Sequence, residues 1–238
     1  INLDAVAHNV QMAKANLKPT TKLCAVVKAD AYGHGAVRVA QEAARNGADF
    51  FAVALLQEGV KLREAGIETP ILVLGSMLPE VAEICVRYDI SHAVFDEERL
   101  YALNAAALKL HTKAKIHIKI DTGMHRIGVH VRDAGRFAKL AASLPGIYIE
   151  GVFSHFATAD ADDKQYAAYQ FERFQEALRL IEAEGVHIPI RHIANSAALT
   201  ELQEYQLDMV RQGITLYGLH PAHMIDCYKD FEPVMTVK

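Results

Sequence analysis

Lys28 stands directly after the apolar run Leu23–Val27 and ahead of the glycine-punctuated stretch Ala29-Asp30-Ala31-Tyr32-Gly33-His34-Gly35. An ammonium at the end of a buried strand is costly unless it is paired, neutralised or converted to something else. Condensation with an aldehyde converts it, and a partly desolvated lysine is the nucleophile of Schiff-base chemistry. The plainer reading is a lysine that snorkels to the rim of the fold. Position alone favours that reading, and the placement of the other polar residues shifts the balance towards catalysis.

Those residues fall repeatedly at the ends of apolar runs. Lys119 and Asp121 end one run and Arg126 follows on a glycine-containing loop; His155 ends the next; Asn195 and Ser196 end another; Arg211 lies on the last, with Gly213 and Ile214 just after it. A lone His or Asn in such a place is most often a satisfied hydrogen-bonding residue. Their recurrence at equivalent strand ends is the pattern of a parallel barrel, whose chemistry sits at the C-terminal ends of its strands. The Ser196 hydroxyl and Gly213, where a backbone N–H can approach a ligand closely, suit a phosphate. A phosphate there and an amine at Lys28 specify a phosphorylated aldehyde, and pyridoxal 5′-phosphate (PLP) is the candidate.

The elements that must hold these residues alternate along the chain. Strands are predicted at Leu23–Val27, Phe50–Ala54, Ile71–Gly75, His92–Phe95, Ile116–Ile120, Gly151–Ser154, Arg191–Ala194 and Met209–Gln212. Helical periodicity lies between them, over 36–46 before Gly47, 56–65 before Gly66, 80–88 after Pro79, 97–110 after Asp96, 131–144 before Pro145-Gly146, and 163–184 before Gly185. Roughly eight strands, each followed by a helix or a turn, in this length predict an α/β fold, a parallel (β/α)8 TIM-type barrel in a single domain. The rival, a doubly wound open sheet, lacks its G-x-G-x-x-G fingerprint after the first strand. The expected organisation is a barrel over residues 1–225, with 226–238 opening a linker to a further β-domain.

The bulk properties narrow the function classes. The chain has 238 residues, 51% hydrophobic and 23% charged, with 25 Lys and Arg against 29 Asp and Glu for a net charge of −4. That balance does not favour nucleic acid as a general partner. Cys24, Cys85 and Cys227 are odd in number and widely spaced, as in a reducing cytoplasm, and they make no zinc-type pair. No apolar run is long enough to span a bilayer. A metal-dependent barrel hydrolase is disfavoured despite 12 histidines. No His-x-His ends the first strand, and His155, His192, His220 and His223 lack that anchor. The histidines at 8, 34, 111, 117, 130 and 187 read as surface or helix-end residues.

Five motifs in order, AVVKADAYGHG, KIDTGMHRIG, SHFATAD, ANSAA and RQGITLYG, resemble the alanine racemases across essentially the whole chain. The resemblance implies a PLP-dependent isomerase built from an N-terminal barrel and a C-terminal β-domain. Such an enzyme interconverts L- and D-alanine through an external aldimine by two-base proton transfer. It is cytoplasmic and homodimeric, and supplies D-alanine for peptidoglycan precursors. By position, Lys28 is the Schiff-base lysine and one catalytic base. Tyr32, Asn195, Ser196, Gly213 and Ile214 are cofactor contacts, and Arg211 faces the pyridine nitrogen. Arg126 approaches the phenolic oxygen and the substrate carboxylate, and His155 lies beside the ring. Lys119 matches a lysine carbamylated in some members. The second base is expected from a partner subunit's C-terminal domain. Two readings stay open beside this one: a single-domain PLP carrier without turnover, and a serine racemase of the same family.

Overall fold

The structure, a computed structural model, describes residues 1–221 and 228–237; Cys227, His223 and the expected boundary after residue 225 lie outside the described residues. Among the described residues, nine strands follow in chain order: β1 (Lys22–Val26), β2 (Phe50–Val53), β3 (Ile71–Val73), β4 (Ser91–Val94), β5 (Ala114–Asp121), β6 (Val129–His130), β7 (Ile147–Phe153), β8 (Ile190–His192) and β9 (Met209–Gln212). Eight of them carry the parallel (β/α)8 barrel fold, and the two-residue β6 is an addition alongside β5.

Contacts divide the chain into two compact units. The first comprises Ile1–Ile71, Ala159–Asp162 and Ile193–Lys238. Its centre is β1, which pairs in parallel with β2 and with β9, so that Cys24 stands opposite both Phe50 and Arg211. The second comprises Leu72–Thr158 and Asp163–His192. There β4 pairs with β3 and β5, and β7 pairs with β5 and β8, all in parallel.

The strands form where they do because they are buried on both faces. Phe50, Phe51, Ala52 and Val53 are all buried, as are Leu23, Cys24, Ala25 and Val26, so the run is continuously apolar rather than alternating. Two of the longer helices begin where a side chain satisfies their first N–H groups. Asn2 accepts from Asp4 N and Ala5 N ahead of the helix Leu3–Ala15, whose Ala5, Val6, Asn9, Val10 and Ala13 form the buried stripe. Asp96 accepts from Arg99 N at 3.0 Å and opens the helix Glu97–Lys109.

The differences from expectation have physical causes. β5 and β7 extend further towards their N-terminal ends than their apolar cores suggest, because Ala114–Ile116 and Ile147–Ile149 continue the parallel ladder although Tyr148 is exposed. The helical stretches after Pro79 and after His130 each open with one 3₁₀ turn before Ala82–Arg87 and Ala134–Ser143. His117 was expected at the surface and is instead fully buried on β5. An imidazole there is tolerated because hydrogen-bonding partners meet both of its nitrogens.

Candidate active site

The chain leaves β1 through a left-handed turn. Ala29, Asp30, Ala31 and Tyr32 all have positive φ, between 51° and 55°. For L-residues that conformation costs roughly 1–2 kcal/mol each, so the turn persists only if its surroundings hold it. Glu58 supplies much of that hold. Its Oε1 accepts from Ala29 N at 2.6 Å, and its Oε2 accepts from Ala54 N and Leu55 N at 2.8 and 3.0 Å. Asp30 accepts from Ala36 N at 3.0 Å, which holds its carboxyl below the ordinary range, helped by Lys61. Gly33 and Gly35, at φ 85° and 89°, then turn the chain into the helix Ala36–Arg45. The effect is to fix Lys28 at the end of β1, half-buried, with its Nζ 5.7 Å from the centre of the Tyr32 ring.

Tyr32 is also set from beneath. Its ring lies 5.1 Å from that of Tyr217, whose hydroxyl donates to Val26 O at 2.8 Å. Burial raises the Tyr32 phenol above its ordinary value, so it remains a protonated donor. The structure brings Tyr32, Ser196 and Gly213 together. Gly213 N donates to Ser196 Oγ at 2.8 Å, and Thr215 Oγ1 donates to the same oxygen at 3.2 Å. With both lone pairs engaged, the Ser196 hydroxyl hydrogen is left to donate outward. A Cβ placed on Gly213 would stand 3.6 Å from both Ser196 Oγ and Tyr32 Oη, so the missing side chain leaves a small cradle walled by two hydroxyls. Asn195 caps the short helix Ser196–Glu201 by accepting from Ala198 N at 3.1 Å, and Ile214 begins the 3₁₀ turn Ile214–Tyr217.

Arg211 is buried on β9, where its guanidinium donates to Ile193 O at 3.0 Å. It faces no thiolate across the ladder, since burial pushes the Cys24 thiol up to about 12. Lys28, Tyr32, Asn195, Ser196, Arg211, Gly213 and Ile214 thus all lie in the first unit.

The remaining expected residues lie in the second. Lys119 is buried near the end of β5, its Nζ 5.1 Å from the centre of the Phe153 ring and 3.2 Å from Ile120 O. Arg126 is exposed on the loop after β5. That loop is shaped by Asp121, which accepts from Gly123 N and His125 N at 3.0 Å each. It is also shaped by Gly128, where a Cβ would stand 2.5 Å from Asp121 N. Burial works to raise the Asp121 carboxyl, and the His125 and Gly123 hydrogen bonds outweigh it. His155 is half-buried after β7, its carbonyl accepting from Gln170 Nε2 at 3.1 Å.

Gln170 and Glu58 are the residues that sequence reasoning missed. Gln170 is fully buried on the long helix Gln165–Ala183 and bonds Thr122 Oγ1, His155 O and Ala157 N, so one side chain ties the ends of β5 and β7. Its signal was a lone amide among the apolar positions of that helix. Among the described residues, no group of three or more His, Cys, Asp or Glu side chains is placed to hold a metal ion.

Residues 1–221 match the family described as alanine racemase, N-terminal domain. Alanine racemase of Desulfovibrio desulfuricans is 46% identical over 238 residues, all of this chain and 64% of that protein. Alanine racemase 2 of Caldanaerobacter subterraneus subsp. tengcongensis is 45% identical, over all of this chain and 62% of that protein. The chain therefore spans somewhat less than two thirds of the length of these relatives. Among solved structures, alanine racemase of Clostridium difficile 630 in complex with cycloserine superposes with a TM-score of 0.93 at 39% identity, over 98% of this chain and 64% of that one. The Bacillus anthracis enzyme with bound L-Ala-P gives 0.92 at 37% identity, over 98% and 61%. Agreement of this depth along the full sequence and the full fold has one meaning: the chain belongs to the alanine racemase family, as its N-terminal domain.

Proposed function

We propose that this chain is the cofactor-carrying barrel of a PLP-dependent alanine racemase. The observation that carries the reading is the cradle of Tyr32, Ser196 and Gly213 in the same unit as Lys28. Two hydroxyl donors around a position without a Cβ fit a phosphate group, and a half-buried amine fits an aldehyde. Tyr32, Asn195, Ser196, Gly213 and Ile214 would hold the phosphate end, Lys28 the aldehyde carbon, and Arg211 the ring nitrogen.

When bound, PLP supplies the electron sink that removal of an amino acid α-proton requires. The chain's own residues govern the proton. The Lys28 amine would accept the α-proton of a bound amino acid on one face and return one. Arg211 has no acceptor and keeps its charge, so it neither gives a proton to a ring nitrogen nor takes one. That would moderate the sink and limit side reactions. His155 would lie beside the ring, and Arg126 would bind the substrate carboxylate as a fixed planar cation, supported by Lys119. The base for the opposite face comes from outside the residues described above, in a homodimer. The protein acts in the cytoplasm; among the described residues no helix is long and apolar enough to cross a membrane.

The test is an absorption spectrum with added PLP, followed by borohydride reduction and peptide mapping, together with L- to D-alanine conversion by the full-length protein. A reduced adduct on Lys28 with conversion supports the reading. PLP that dialyses away from the full-length protein without an adduct overturns it.

A further inference from the structure

The helix Gln165–Ala183 buries one stripe, Ala167, Gln170, Phe174, Ala177 and Ile181, in which Gln170 is the one polar residue. Tyr166 stands four residues earlier, and residues at that spacing share a helix face. Both reach the same glycine on the loop after β5. A Cβ built on Gly123 would stand 2.7 Å from Tyr166 Oη and 3.5 Å from Gln170 Cγ, so these two side chains bound the space a third would need.

Gly123 is held at both of its backbone polar groups. Its N–H donates to Asp121 Oδ1 at 3.0 Å, and its carbonyl accepts from Tyr166 Oη at 2.8 Å. Its φ of 136° is one that glycine adopts without strain. His125 N donates to the same Asp121 oxygen at 3.0 Å, and Arg126 follows directly. Asp121 thus fixes the inner side of the turn that leads to Arg126, and Tyr166 fixes its outer side.

Gln170 acts on the end of β7. Its Nε2 donates to His155 O at 3.1 Å and its Oε1 accepts from Ala157 N at 2.8 Å. A residue of a parallel neighbouring strand bonds its partner in this way, at the carbonyl before and the N–H after the residue opposite, so the carboxamide extends the ladder by one rung at Phe156. Gln170 Nε2 also donates to Thr122 Oγ1 at 3.3 Å. Thr122 Oγ1 lies 2.8 Å from Ser154 Oγ, which donates to Ile120 O at 2.8 Å, so the ends of β5 and β7 are joined on the inner side as well. Every one of these residues belongs to the second unit. The two holds differ in strength. Gln170 is fully buried, where water does not replace a lost bond, whereas Tyr166 is 40% exposed and water competes for Gly123 O. Gln170 is the anchor, and Tyr166 adjusts the loop.

We propose that Tyr166 and Gln170 are positioning residues, a two-point clamp through which one helix face sets the loop that carries Arg126 and the strand end that carries His155. Neither touches substrate; each acts through the backbone of the residue it holds. The part this clamp plays in racemisation rests on the function proposed above, and the clamp itself does not.

The experiment compares the full-length protein as wild type, Tyr166→Phe and Gln170→Met, two replacements that keep side-chain shape and delete the hydrogen bonds. Hydrogen exchange is read by mass spectrometry over peptides covering 120–130 and 154–160, alongside the absorption spectrum with PLP and the kinetics of alanine racemisation. Tyr166→Phe is expected to speed exchange in 120–130 alone and to raise KM for alanine about fivefold or more, with kcat and the PLP spectrum as in wild type. Gln170→Met is expected to speed exchange in both peptides, to shift the absorption maximum of the Lys28-bound cofactor, and to lower kcat about tenfold or more. If the methionine variant does not fold, Gln170→Glu takes its place, since an ionised carboxylate keeps the acceptor for Ala157 N and loses both donors. Unchanged exchange over 120–130 in folded Tyr166→Phe overturns the clamp. Faster exchange with KM, kcat and spectrum all unchanged means a purely structural role and overturns the positioning one, as does loss of PLP binding in Tyr166→Phe. A wild type that neither holds PLP nor racemises alanine, with the expected exchange differences present, sinks the proposed function and leaves the clamp standing.

Discussion

Gly213 donates its backbone N–H to Ser196 Oγ at 2.8 Å, and the space beside that bond is bounded by the Tyr32 hydroxyl. A methyl group in that space would lie 3.6 Å from both oxygens, an ordinary van der Waals contact. Gly213→Ala is therefore expected to leave the unfolding midpoint of the ligand-free protein almost unchanged while occupying the place of a phosphate oxygen. The affinity for PLP should fall by about tenfold or more, on the order of 1.4 kcal/mol, and that for pyridoxal, which lacks the phosphate, much less. An unchanged preference for PLP over pyridoxal would mean the phosphate is held elsewhere.

Lys28 carries the second half of the assignment. Lys28→Ala removes the amine and leaves the Tyr32, Ser196 and Gly213 cradle intact. The variant is expected to bind PLP reversibly, with no borohydride-fixed adduct and no racemisation. Mapping the reduced sample would reveal an adduct at another lysine, and finding one would dismiss Lys28 as the attachment site.

The left-handed turn after Lys28 makes Glu58 a structural requirement. Glu58→Ala leaves the N–H groups of Ala29, Ala54 and Leu55 without their carboxylate acceptor. Ala29 N is exposed enough to bond water instead, so the expected cost is about 1–3 kcal/mol rather than loss of the fold. Urea unfolding measures that cost, and hydrogen exchange should show faster exchange for Ala29 and Ala31 than elsewhere on β1 and the following helix. Uniform exchange rates would show that the turn is held by other contacts.

Much of this architecture was legible in the sequence, and the failures have common causes. The strand positions could be read because runs such as Phe50–Val53 are buried on both faces and apolar throughout. Lys28, Ser196 and Gly213 stood out because each breaks such a run at its end. The left-handed turn could not be read, because Ala29, Asp30, Ala31 and Tyr32 carry no residue type that demands positive φ; Glu58, from a following helix, helps impose it. His117 was misassigned for a related reason. Its burial depends on Glu150, displaced by a register shift, and on the absence of a side chain at Gly151, neither of which is visible along one strand. Gln170 ties two strands from a helix, and that relation exists only in three dimensions.

Gly151→Ala tests the seat of His117 directly. The added methyl would stand 2.4 Å from His117 Nδ1 and 2.7 Å from Ile190 O, a backbone atom that cannot rotate away. Overpacking of this kind costs typically about 1–3 kcal/mol, and more where backbone must shift. A drop of that size in urea-derived stability is expected, with tyrosine fluorescence and circular dichroism transitions still coincident. A drop below about 0.5 kcal/mol, the ordinary range for surface substitutions, would show that the ring moves freely.

His92 predicts how stability changes on the acid side. Its Nδ1 bonds Ala93 O at 2.7 Å, its Nε2 is buried without a hydrogen-bond partner, and burial lowers its pKa from 6.5 to about 4. The unfolded chain therefore takes up a proton near pH 6.5 that the folded protein refuses until near pH 4. Stability is unaffected well above pH 6.5 and is lost as pH falls between these two values, because the unfolded state binds more protons there. The loss between pH 7 and pH 5 amounts to roughly 2 kcal/mol from this group. His92→Leu removes both the titration and the unsatisfied nitrogen, so its stability should fall less over the same interval, by about that amount. Parallel pH profiles for wild type and His92→Leu would show that His92 does not stay neutral inside the fold, and that water or a shifted side chain meets its Nε2.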